Sequence, residues 1–110
     1  MPYVFITSYL PNERSAEAAK IYLEFFKEDR SKYKPLSKEI IPNAVKARKD
    51  CIEVTGVHDI KEGKLEEFLV LQQNLMVRYH KIEGFRYEIE VRFKVTEALE
   101  MLGFKPPEMD

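Results

Sequence analysis

The alternation of apolar and polar positions divides the chain into a short series of strands and helices. From Gly84 to Thr96, the apolar residues Phe85, Tyr87, Ile89, Val91, Phe93 and Val95 alternate with the charged residues Arg86, Glu88, Glu90, Arg92 and Lys94. Side chains alternate across a strand, so this stretch predicts a long strand with one dry face and one ionic face. At ~3.3 Å per residue it would run about 40 Å. Residues 3–10 predict a second strand, with Val4, Ile6 and Leu10 on one face beside Ser8, and Tyr3, Phe5 and Tyr9 on the other beside Thr7. Both faces are mostly apolar, the pattern of a central strand covered on two sides. Pro11 ends it.

Helical spacing then takes over. Ala18, Ile21, Tyr22 and Phe25 recur at i, i+3, i+4 and i+7, with Ala19, Leu23 and Phe26 widening the stripe. They predict a helix over 13–30 with Asn12 as its cap. Residues 31–43 hold Pro35 and Pro42 and no sustained period, so they read as a connection. Strands are expected over 44–49 and 51–60, joined by a turn at Lys49-Asp50. In the second of these, Ile52, Val54, His58 and Ile60 share a face, and Gly56 marks a candidate bulge. A second helix is predicted over 64–81, with Leu65, Phe68, Leu69, Leu75, Met76 and Tyr79 as its stripe and Gln72 at its middle. Gly84 follows as a left-handed stop. Thr96 is placed to cap a short helix over 97–102.

The order β-α-β-β-α-β predicts an α+β fold of the ferredoxin-like type. Its four-stranded antiparallel sheet would have spatial order 4-1-3-2, with two helices on one face and a short C-terminal helix. Residues 1–104 then form a single domain and 105–110 a flexible tail. Two layers cover only one sheet face, yet Tyr3, Phe5 and Tyr9 project from the other. Burying each ring contributes on the order of 1.5–3 kcal/mol, and a second copy of the chain is the simplest cover. The charges of the late strand bear on how copies meet. They are symmetric about Ile89, so antiparallel self-pairing centred there opposes Arg86 to Arg92 and Glu88 to Glu90.

Composition narrows the classes. In 110 residues, 18 Lys and Arg nearly cancel 19 Asp and Glu, so no global field steers nucleic acid or an anionic membrane. Cys51 is the sole cysteine, which excludes an intrachain disulfide framework. Without a basic-then-apolar leader or a membrane-length apolar run, a cytoplasmic protein is expected. Glu and Lys dominate the 34% of charged residues and Asn plus Gln total five, a balance that suggests a heat-loving source.

The stretch Val57-His58-Asp59-Ile60-Lys61-Glu62-Gly63-Lys64-Leu65-Glu66-Glu67-Phe68 resembles the strand-to-helix start common in dimeric α/β-barrel proteins. The late strand with Thr96-Glu97-Ala98-Leu99 after it is similar as well, and the layout resembles small archaeal proteins of unknown function. The resemblance implies two ferredoxin-like subunits with their sheets face to face. That superfamily includes monooxygenases, haem-degrading oxygenases, small isomerases and ligand-sensing domains, so it does not select an activity. Its haem-degrading members use a Trp and a positioned His; this chain has no Trp.

Residues able to carry chemistry are few. His58 and His80 can act as acid–base groups or ligands, yet no zinc-type spacing surrounds them, and His80 near a helix end also suits the carbonyl pole. Gln72 needs hydrogen-bond partners, supplied by a ligand or by the backbone. Tyr79, His80 and Glu90 are the candidate catalytic residues of an oxygenase- or isomerase-like alternative. Tyr9, His58, Gln72 and Arg92 are the candidate ligand-binding residues. The charges of the late strand can line a polar dimer cavity or serve as a solubilising edge. No metal site and no cofactor is predicted. The RNA-recognition fold shares this element order, but Cys51-Ile52-Glu53-Val54-Thr55 lacks stacking aromatics, which disfavours nucleic acid as a partner. A second copy and a small molecule are the expected partners.

Overall fold

In the computed structural model, which describes residues 1–107, seven regular elements follow one another. They are β1 (Tyr3–Pro11), α1 (Ser15–Glu28), β2 (Ser37–Ala47), β3 (Cys51–Ile60), α2 (Leu65–Val77), β4 (Arg86–Arg92) and α3 (Val95–Met101). Short 3-10 segments, Asn12–Arg14 and Arg30–Tyr33, stand on either side of α1. The strands form one antiparallel sheet in the order β2-β3-β1-β4, the expected 4-1-3-2 arrangement. The chain is an α+β protein compatible with a ferredoxin-like arrangement. Of the expected tail, Lys105 to Pro107 has no regular secondary structure, and 108–110 lies outside the described residues.

The apolar stripes do what their spacing requires. Ala18, Ile21 and Phe25 of α1 and Phe68, Leu75 and Met76 of α2 are buried together with Val4, Ile6 and Ile60 of the sheet. Leu10, Phe85, Tyr87 and Ile89 pack against this cluster from its margin. Beyond the helices, Asp29 is buried where α1 ends and takes ion pairs from Lys32 at 2.6 Å and from Arg78. It therefore ties the end of α1 to the segment after α2. The hydrogen bond from Lys32, with the Arg78 partner acting in the same direction, holds the Asp29 carboxyl below its ordinary range against the opposing effect of burial.

Four local expectations are corrected. The stretch taken as a connection, 31–43, contains a 3-10 segment and most of β2, which begins at Ser37. Its pairing with β3 shifts between Glu39 and Ile41 and again between Ile41 and Ala44. Pro42 lies in the second shift, where a residue without an N–H costs no ladder bond. The irregularity expected at Gly56 thus sits in the strand opposite, and β3 keeps one parity, with Ile52, Val54, His58 and Ile60 on the helix side.

The long strand is the second correction, for β4 has only seven residues. Its partner β1 begins at Tyr3, which pairs with Arg92, so nothing remains for Phe93 to join. Phe93 and Val95 are 59% and 56% exposed rather than anchored under the helices. The caps are the third. The Lys94 N–H donates to Glu97 Oε1 at 2.9 Å, starting α3 at Val95 in place of a Thr96 cap. At α1 the Ser15 N–H donates to the backbone carbonyl of Asn12, whose side chain makes no cap. Finally, α2 ends at Val77, four residues before the expected boundary, and turns carry the chain to Gly84. Gly84 has φ +86°, and a Cβ there would stand 2.9 Å from Pro11 Cγ, so both backbone and space require glycine.

Candidate ligand cavity

A cavity of about 370 Å³ lies on the helix side of the sheet, between α1 and the strands β1, β3 and β2. Small residues create it. Ser15, Ala18 and Ala19 face it from α1, while Ser8 and Gly56 face it from the sheet. With so little side-chain volume on either side, the helix cannot close onto the strands. Gly56 belongs to the helix-side parity of β3, and a Cβ there would meet Asn43 Oδ1 at 3.1 Å, under the irregular part of β2. The remaining walls are mostly apolar, including Ile6, Leu10, Tyr22, Phe25, Val54 and Met76. Phe26 and Val45 line it while being 45% and 69% exposed, so the cavity opens to solvent between the end of α1 and β2.

The end of the cavity toward α2 and the 3-10 segment after α1 is polar and paired. The Tyr33 hydroxyl donates to Gln72 Oε1 at 2.9 Å, and His58 Nδ1 lies 2.9 Å from Ser37 Oγ. All four residues are buried. Aromatic contacts hold these groups in place. The Tyr33 ring meets Phe25 and Phe68 edge-on, at 5.5 Å between centroids in each case, and His58 lies 4.8 Å from Phe68. A glutamine has two donor and two acceptor sites, and the Tyr33 hydroxyl uses one acceptor site. Tyr79 also lines the cavity, its ring stacked 4.9 Å from Phe85.

Burial decides the charge state at this end. Loss of solvent pushes the His58 imidazolium down from its ordinary pKa; Arg30 adds to the effect and Glu39 opposes it. His58 is therefore neutral at pH 7. Burial also raises the Tyr33 hydroxyl well above its ordinary range and Tyr79 to about 12. The cavity thus presents neutral hydrogen-bonding groups to an apolar space, a combination found in small-molecule sites.

The candidates from the sequence separate into three places. His58, Gln72 and Tyr79 come together around the cavity. His80 is elsewhere, its Nε2 3.0 Å from the Tyr87 hydroxyl and its ring stacked on Tyr87. Tyr9, Glu90 and Arg92 lie on the opposite face of the sheet. Tyr79, His80 and Glu90 therefore do not form one constellation. Cys51 is buried at the start of β3. Tyr33, Ser37 and Glu39 escaped the sequence reading because they lie in the stretch taken as a connection. Ile40-Ile41, two adjacent β-branched residues, was the signal there that a strand was present.

On the helix-free face, β4 roofs the aromatic row of β1. Arg92 stands 4.1 Å over the Phe5 ring, Arg86 5.3 Å over Tyr9, and Lys94 5.2 Å over Tyr3. Lys94 also pairs with Asp59 at 2.8 Å and Arg92 with Glu90 at 3.2 Å. Part of the cover expected from a second copy is therefore supplied from within the chain. Carboxylates of Glu53, Asp59, Glu88 and Glu90 interleave with these cations, so the face has no single sign.

Comparison with known proteins finds no match to the chain among family descriptions, curated proteins or solved structures. Among the described residues, no three His, Cys, Asp or Glu side chains gather where they could hold a metal ion. No helix there is long and apolar enough to cross a membrane.

Proposed function

We propose that this chain is a ferredoxin-like module that binds a small, largely apolar molecule between α1 and the sheet. The observation that carries the reading is the cavity itself. Its volume of about 370 Å³ falls in the range of small-molecule pockets, it opens to solvent, and buried neutral polar groups converge at its end toward α2. A ligand would place apolar surface against Phe25, Val54 and Met76. Binding, rather than turnover, is favoured because the catalytic candidates are dispersed. Titration of the isotope-labelled protein with indole and with 1-octanol, followed by amide chemical shifts, tests this. Shifts concentrated at Ala19, Val54, Gly56 and Gln72 are expected. No saturable change with either probe at millimolar concentration overturns the reading.

A second reading concerns assembly. The chain works as a homodimer of the dimeric α/β-barrel kind, with the helix-free sheet faces together. Two observations favour it: Tyr3, Phe5 and Tyr9 remain only half-buried beneath their cations, and the mixed charges of the face suit a self-complementary contact. The same balance of charge works against a phosphate backbone as occupant. Sedimentation equilibrium at micromolar concentration should give twice the chain mass; a folded monomer there refutes this reading.

A further inference from the structure

The mouth of the cavity has a chemistry its walls lack. Arg30, Phe26, Tyr33 and Glu39 line the cavity and also a second, more open depression beside it. The outer walls of that depression bring Lys34, Lys38 and Lys61. Arg30, Lys34 and Lys61 thus bring three positive charges to the side of one carboxylate, Glu39, with Lys61 Nζ donating to the Lys34 carbonyl at 2.9 Å, while Lys38 pairs in register with Asp59 and points to the other face of the sheet. The arrangement is asymmetric: an apolar, neutral interior leads out to a cationic rim. Arg30 is the hinge between the two. Its guanidinium lies 4.5 Å over the Phe26 ring and donates from Nη2 to Glu39 Oε1 at 2.6 Å. A guanidinium has five N–H donors, so others remain for a second acceptor.

From this juxtaposition we infer that the ligand is an anionic amphiphile, a molecule with an apolar chain or ring and a carboxylate at one end. The apolar part occupies the space between α1 and the sheet, and the carboxylate sits at the rim on Arg30. Lys34 and Lys61 supply a long-range field that orients entry with the acid group outward. Glu39 holds the Arg30 fork in place while the site is empty, and its charge opposes the ligand's. The inference rests on the cavity being a binding site and specifies what that site takes.

The test is calorimetric titration with two homologous series, hexanoate to decanoate and hexanol to decanol, at pH 7 and below micelle-forming concentrations. In both series each methylene should tighten binding about fourfold until the cavity is full. At equal length the acid should bind about tenfold more tightly than the alcohol. Arg30→Gln should abolish that preference, so that acids and alcohols of equal length bind alike. Arg30→Lys, which keeps the charge without the fork, should retain part of it. Glu39→Gln should tighten the acids by a few fold relative to the alcohols, because it removes a repulsive charge. If the pair were only structural, Arg30→Gln and Glu39→Gln would weaken both series alike, and that outcome overturns the inference. Equal affinity for acids and alcohols on the unmodified chain also overturns it, while leaving the apolar site intact. Failure of both series to bind overturns the site together with the inference.

Discussion

The buried bond between the Tyr33 hydroxyl and Gln72 Oε1 allows a sharp test of how the polar end of the cavity is held. The two groups lie 39 residues apart in the chain and 2.9 Å apart in space, and they tie the segment after α1 to the middle of α2. Tyr33→Phe removes the donor and keeps the ring that meets Phe25 and Phe68. It leaves Gln72 Oε1 buried without that donor, which costs about 1–3 kcal/mol. Gln72→Leu does the converse, stranding the hydroxyl, at a cost of similar size reduced by the apolar surface that leucine adds. In the double variant both polar groups are gone and the shapes are nearly preserved, so its stability should lie close to that of the parent. The cycle should then show a coupling of about 2–3 kcal/mol, the sum of the two single costs and at the upper end of the range for residues in direct contact. Urea denaturation with an unchanged m-value measures it, and thermal midpoints should move roughly 4 °C for each kcal/mol. Two results would refute the reasoning: a Tyr33→Phe variant within ~0.5 kcal/mol of the parent, or strictly additive single effects. Either would mean that solvent in the cavity satisfies these groups and that their mutual bond does not set the geometry.

Three further outcomes are expected. Because burial lowers the pKa of His58 in the folded chain, the unfolded chain binds its proton first as pH falls. This contribution to stability is complete above about pH 6.5 and is lost as pH falls through the folded value; His58→Phe should lack that slope in denaturation measured from pH 7 downwards. Gly56 has no positive φ, so Gly56→Val should fold once Asn43 shifts, yet its side chain enters the cavity. Indole affinity in the same chemical-shift titration should drop by at least about tenfold, as expected for overfilling a packed space by 1–3 kcal/mol, whereas unchanged affinity places the ligand elsewhere. Glu97→Ala removes the acceptor for the Lys94 N–H at the start of α3, and should cost about 0.5–2 kcal/mol by urea denaturation.

Much of the fold was legible in the pattern of side chains, because period is local. Four strand-like stretches and two helical stripes were enough for the element order, and the sheet order followed from it. What escaped was either irregular or dependent on a partner. β2 hid behind Pro35 and Pro42, since a strand that departs from strict alternation at Pro42 carries no clean period. The late strand looked longer than it is because alternation says only that a segment can be a strand. Whether it is one depends on a neighbour offering backbone groups, and β1 stops offering them at Tyr3. Of the candidate site residues, Gln72 was visible as a polar residue in an apolar stripe, and its partner Tyr33 was not, lying in a segment without periodicity.

By itself the sequence determined the α+β class, the alternation of strand and helix and the charged face of β4, all of which rest on interactions within a few residues. Only the tertiary structure decided that His58, Gln72 and Tyr79 share a space while Tyr9, Glu90 and Arg92 lie behind the sheet. It also decided that small residues on α1 stand opposite Gly56, leaving a cavity, and that Arg30 and Glu39 meet at its mouth. The reason is physical: a missing volume is a property of two surfaces facing each other, and neither surface carries a record of the other in its own spacing.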